Sequence, residues 1–122
     1  MARDRAFREW RLQEVLPAEM DVVSARDIVL DCFYTVHGAH FEATKTQLGV
    51  SADEKRVRQS AKGALRLAFR HTGGSFDAPT KMQLEKVIDY LDEQSRSWGT
   101  PEEVIRKHRA ELQRVVARVR ES

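Results

Sequence analysis

The sequence predicts an all-α fold, a compact bundle of four to five helices forming a single domain over residues 1–122. Three observations carry this expectation. Apolar residues recur at three- and four-residue spacing along most of the chain, and no segment alternates apolar and polar over a strand's length. Capping residues precede several periodic segments, and glycines follow them. Six Gly and three Pro in 122 residues are too few for a turn-rich β-sandwich or a linker protein.

A chain of this size buries roughly two-thirds of its unfolded surface. With 41% apolar and 33% charged residues it reads as a globular protein with a heavily solvated surface. The longest purely apolar run is three residues, too short for a membrane span. The opening MARDRAFREW has neither an apolar core nor a small-residue cleavage site, so no secretory signal is expected. One cysteine excludes an internal disulfide and fits a reducing compartment, so a cytoplasmic location is expected.

Residues 4–16 mix charges with Phe7, Trp10, Leu12, Val15 and Leu16, and Pro17 ends them. A first helix is expected there. Residues 1–20 form an arm that is either docked through Phe7 and Trp10 or flexible. The second helix is expected over 25–48, capped by Ser24 with Asp27. Ile28, Val29, Cys32, Phe33 and Val36 share one face, which Leu30 and Tyr34 widen. A helix apolar around so much of its circumference packs on more than one side, which makes this one the bundle's axis. Gly38 marks a place for a bend, and Gly49 a stop.

A helix over 52–71 follows, with Ser51 as cap and Glu54 completing a capping box. Val57, Ala61, Ala64, Leu65 and Ala68 form its buried stripe, and Gly73-Gly74 ends it. Thr80 with Gln83 predicts a capping box for a helix over 81–98, with Leu84 stapled onto Pro79. Its buried face is Leu84, Val87, Ile88, Leu91 and Trp98. Thr100-Pro101-Glu102-Glu103 opens the last helix, over 101–120, with Thr100 as cap and Pro101 at the first helical position. Val104, Ile105, His108, Leu112, Val115, Val116 and Val119 make the most regular stripe in the chain.

Cys32, His37 and His40 offer three side chains of the kinds zinc accepts within nine residues. Their spacing matches no closed zinc motif, and a fourth ligand would have to come from His71 or His108. The plainer reading is a buried thiol acting as a small hydrophobe beside two helix histidines. His108 falls in an apolar stripe without an evident partner to orient it as a catalytic base. No phosphate-binding glycine loop is present. The expectation is therefore a protein without catalytic residues, cofactor or resident metal.

Net charge is only +2, but its distribution is uneven. Residues 13–31 hold five acids against one base, whereas 52–71 hold six bases against two acids. Lys55, Arg58, Lys62, Arg66 and Arg70 define a positive stripe on the 52–71 helix about 22 Å long at 1.5 Å per residue. Arg114 and Arg118 belong to a second basic patch. Such stripes can meet several phosphates or be a solvated helix face. Gln47-Leu48-Gly49-Val50-Ser51 resembles the turn of helix-turn-helix DNA readers over those five residues. Lys55 then stands where that motif has an apolar residue, and Asp53 and Glu54 place negative charge at the end that would meet DNA.

Together these features lead to a small non-catalytic protein that binds another macromolecule, a protein first and a nucleic acid second. A metal-binding protein centred on Cys32, His37 and His40 ranks third. A homodimer that buries part of the wide apolar helix is a further expectation.

Overall fold

The computed structural model describes residues 16–51 and 53–120. It is an all-α helical bundle of α1 (Val22–Gln47), α2 (Glu54–His71), α3 (Lys81–Ser97) and α4 (Glu102–Val116). The helix expected over 4–16, with Phe7 and Trp10, lies outside the described residues. No described helix is long and apolar enough to cross a membrane.

Each helix packs on its neighbours in sequence, and α1 closes the ring against α4. α1 runs unbroken through Gly38, and Ala25, Val29, Cys32, Phe33, Val36, His37 and Phe41 on its inner side are all buried. Phe69 and Leu65 of α2, Leu84 and Val87 of α3, and Leu112 and Val115 of α4 meet this row. Each such aliphatic or aromatic side chain contributes about 1.5–3 kcal/mol by leaving water.

The helix starts differ from the sequence reading at three of four places. α1 begins at Val22, because Asp21 is its cap and accepts from the Ser24 amide at 2.7 Å. Ser24 is thus a capped residue rather than the cap, and Asp27 pairs with Arg26 instead. α2 is capped by Asp53, which accepts from the Arg56 amide at 2.9 Å, while Ser51 donates to the Asp53 carboxylate. A carboxylate at the positive end of the helix dipole outcompetes a hydroxyl further out. Thr80 caps α3 as expected, accepting from the Gln83 amide at 3.2 Å. The Gln83 side chain, however, donates to the Gly73 carbonyl in place of closing a capping box.

The last helix departs most. Pro101 occupies its cap position with no side-chain hydrogen bond, because the Thr100 hydroxyl is turned inward to His37. Its far end is Val116 rather than residue 120. Beyond it, Met20 and Val119 form a parallel β-bridge. The Met20 amide donates to the Arg118 carbonyl at 2.8 Å, and the Arg120 amide to the Met20 carbonyl at 2.9 Å. These bonds claim the backbone that a longer α4 would have used, and they clasp the approach to α1 against the exit of α4.

The turn between α3 and α4 places the site described next. Gly99 adopts φ 83°, the left-handed conformation that glycine takes without strain. Its amide donates to the Arg96 carbonyl at 3.0 Å, and the Thr100 amide to the Ser95 carbonyl at 3.0 Å. This double bond pattern is a Schellman turn. It folds Thr100 back over Ser95, so that two hydroxyls five positions apart in the chain face the same point on α1.

Candidate functional site

The point those hydroxyls face is His37, fully buried on α1. Ser95 Oγ lies 3.1 Å and Thr100 Oγ1 3.4 Å from its Nε2. The Phe33 carbonyl, one turn back on α1, also acts on the ring. A carbonyl only accepts, so it favours the proton on Nδ1 and leaves Nε2 to accept from the hydroxyls. Burial pushes the His37 imidazole down to about 3, and the neighbouring His108 adds to the shift. The ring is therefore neutral across the physiological range.

His108 reaches the same place from α4. Its ring centroid is 5.6 Å from that of His37, and burial pushes its pKa down to about 4. Among the described residues its Nε2 has no hydrogen-bond partner. Aromatic rings close the corner. Trp98 stacks on His40 at 4.6 Å with planes 20° apart and stands edge-on to His37 at 5.4 Å. Phe33 and Phe41 complete the enclosure at 5.9 and 5.5 Å from Trp98.

This arrangement bears on two readings. Ser95 and His37 have the separation of a nucleophile and its base, but both are buried and a base with a pKa near 3 takes a proton poorly at neutral pH. The Cys32, His37, His40 set is not assembled into a ligand group. His37 turns to Ser95 and Thr100, His40 lies flat against Trp98, and Cys32 is buried with its thiol pKa pushed up by desolvation and by the charges of Glu111 and Asp31. Among the described residues no three His, Cys, Asp or Glu side chains stand close enough to hold a metal ion.

The basic stripe of α2 is largely turned to internal use. Arg58 pairs with Asp31 of α1 at 2.9 Å and lies over the Tyr34 ring at 4.8 Å. Arg66 pairs with Asp77 at 3.2 Å and covers Phe76 at 4.7 Å. Lys62 approaches the same ring at 5.6 Å, and Arg26 of α1 at 4.3 Å. Phe76 is buried beneath these cations, and each such contact is worth about 0.5–1 kcal/mol. In the second patch Arg114 pairs with Glu111 at 2.9 Å, and Arg118 donates to the Pro17 carbonyl at 3.3 Å. Lys55 and Arg70 remain exposed. Lys55 joins Lys45 and Arg56 along an open groove of about 700 Å³ where α1 ends and α2 begins.

Two further features were not anticipated from sequence. Arg109 of α4 bridges Asp89 and Asp92 of α3; burial raises the Asp92 carboxyl against the opposing pull of that guanidinium. On α2 and α3, His71 stacks on Tyr90 at 4.6 Å with planes 21° apart, and Gln94 donates to the Tyr90 hydroxyl at 3.1 Å. Leu67 lies one turn before His71 on α2, and Met82 two turns before Tyr90 on α3; they are 59% and 65% exposed. The stack joins side chains of two helices, so no spacing within either helix pointed to it.

No family model, curated protein or solved structure is similar to the chain.

Proposed function

We propose that the protein is a non-catalytic helical binding module whose partner is another protein, engaged through the outer face of α2 and α3. The observation that carries this is a pair of exposed aliphatic side chains, Leu67 on α2 and Met82 on α3, on the two helices that the His71–Tyr90 stack joins. Large exposed apolar side chains on a face that also carries a half-buried tyrosine are the kind of group that anchors protein partners. The buried Ser95–His37 pair supports the absence of catalysis, and the buried free thiol of Cys32 suits a reducing, cytoplasmic setting. A second copy of the chain is one such partner and would show as a dimer in light scattering.

The test is a Leu67→Glu, Met82→Glu double variant compared with the unaltered protein in cross-linking and affinity capture from the source cell. The expected result is loss of a specific, stoichiometric partner with helicity and Tm unchanged. Equal recovery of the same partner by the variant refutes the assignment of this face.

A nucleic-acid partner is the second reading, favoured by the groove that Lys45, Lys55 and Arg56 line. Against it stand the internal contacts of Arg58, Lys62 and Arg66. Anisotropy of a labelled duplex titrated at rising salt separates the two. Binding whose logarithm falls steeply with the logarithm of salt supports phosphate contacts, and no binding at low salt eliminates them.

A further inference from the structure

The cations of α2 are sorted by position along the helix. Arg58, Lys62 and Arg66 lie against Asp31, Phe76 and Asp77 respectively. Lys55 and Arg56, in the first turn, instead line the groove where α1 ends and α2 begins. Gly49 builds that junction. At φ 73° it turns the chain back, and the Val50 amide donates to the Lys45 carbonyl at 3.0 Å. The turn brings Lys45, in the last turn of α1, into the same groove as Lys55 and Arg56. Lys45 is half-buried, so packing along its stem limits where its ammonium can go. Gln59 and Ser60 follow Lys55 and Arg56 at i+4 and so continue the groove on the same face of α2.

The groove thus presents three cations and two neutral polar side chains against one carboxylate. That carboxylate, Asp53, is committed to the helix start, where it accepts from the Arg56 amide at 2.9 Å and from the Ser51 hydroxyl. The Arg56 guanidinium stays 3.6 Å from it, beyond hydrogen-bond distance, which leaves its fork of N–H donors open to another acceptor. Among the described residues no carboxylate pairs with Lys45 or Lys55. A second groove, of about 420 Å³ between α3 and α4, is built differently: Lys81 and Arg109 stand there against Glu85 and Asp89, and the charges balance. Size and lining narrow the ligand further. The α2 wall of the basic groove extends over one helical turn, about 5.4 Å, which suits two or three linked phosphates. A duplex would run on along α2 to Arg58, Lys62 and Arg66, which are already held. No aromatic ring lines the groove, so no base is stacked there.

We propose that this groove is a binding site for a small oligophosphate, with Lys45, Lys55 and Arg56 as its cationic contacts and Gln59 and Ser60 as neutral donors. The two ammonium groups act as point charges, and the guanidinium adds paired hydrogen bonds to one phosphate. The site is independent of the Leu67–Met82 face and shares only its groove with the nucleic-acid reading.

Inorganic tripolyphosphate is the probe, titrated into the whole protein at pH 7 and low salt and followed by calorimetry and by amide NMR shifts. The expected result is saturable one-to-one binding with shifts concentrated between Lys45 and Ser60, weakened as salt is added. A Lys45→Gln, Lys55→Gln variant is expected to lose affinity about tenfold or more, as for at least one lost charge-assisted hydrogen bond. Arg70→Gln, exposed on α2 outside the groove, keeps the affinity of the parent. No saturable binding at low salt, or equal affinity in the double variant and its parent, overturns the proposal. If the double variant fails to fold, the shift map of the parent decides: concentration at 45–60 supports the site, and an even spread over the basic surface overturns it. Anisotropy of a labelled duplex in the same buffer separates the site from the nucleic-acid reading. Tripolyphosphate binding without duplex binding upholds the site and removes that reading; duplex binding without tripolyphosphate binding does the reverse.

Discussion

Cys32 shows how strongly one position can be fixed by the face it occupies. It sits among Val29, Phe33 and Val36 with no exposed surface, and desolvation keeps the thiol protonated. Thiol reagents are expected to label it only after unfolding; rapid modification of the native protein at pH 8 contradicts the enclosure. Cys32→Ser places a hydroxyl on the same apolar face and is expected to lower unfolding free energy by about 1–3 kcal/mol, measured by urea denaturation. The histidines give a second prediction at this scale. Folded His37 and His108 have pKa values of about 3 and 4 against an unfolded value of 6.5. The unfolded chain therefore binds protons that the folded chain refuses, so their contribution to stability is fully present above pH 6.5 and is lost as pH falls from there toward 4. By pH 5.5 the two together remove about 2–3 kcal/mol, and His37→Gln, His108→Leu abolishes that part of the slope. Denaturation midpoints at pH 7.5 and 5.5 provide the comparison, and a variant with the full original slope refutes it.

Among the elements, glycine and threonine separate local rules from tertiary ones. Gly63 lies inside α2, exposed, and a Cβ there would meet nothing within 4 Å. Gly63→Ala is expected to stabilise by about 0.5–1 kcal/mol through backbone entropy, read as a raised Tm; a lowered Tm would mean that α2 needs flexibility or close approach at that point. Thr80→Ala removes a true cap and should cost about 1 kcal/mol. Thr100→Ala should also cost stability, but through His37, so Thr100→Ser recovers it even though position 100 caps nothing. These cases mark what was legible. Periodicity found all four described helices, because a buried stripe is written within the helix that buries it. Their starts slipped where two capping groups competed within three residues, Ser24 with Asp21 and Ser51 with Asp53. The end of α4 was hidden because the partner of its last residues is Met20, at the other end of the chain.

At the scale of the whole molecule, the same distinction explains why the site escaped detection. His37, Ser95, Thr100 and His108 come from α1, α3, the Gly99 turn and α4, and no local spacing relates them. Sequence reasoning marked both histidines and named His108 as one of two candidates to join His37, but it brought neither Ser95 nor Thr100 to them. The basic stripe of α2 was legible as a stripe, but Asp31, Asp77 and Phe76, which occupy it, lie on other segments. What holds these separate segments in one arrangement is the closure of α1 on α4, and its outer end is the clasp at Met20. If that clasp is part of the cooperative fold, the Met20 and Arg120 amides exchange with solvent in the slowest class, alongside those of Val29 and Leu112. Met20 is buried, so Met20→Ala is expected to cost about 2–5 kcal/mol. It should also raise exchange at Arg120 before it raises exchange in α2 or α3. Exchange of both clasp amides as fast as those of the Gly73–Pro79 loop would show instead that α1 and α4 are joined by side chains alone, and that the histidine corner bears the whole closure.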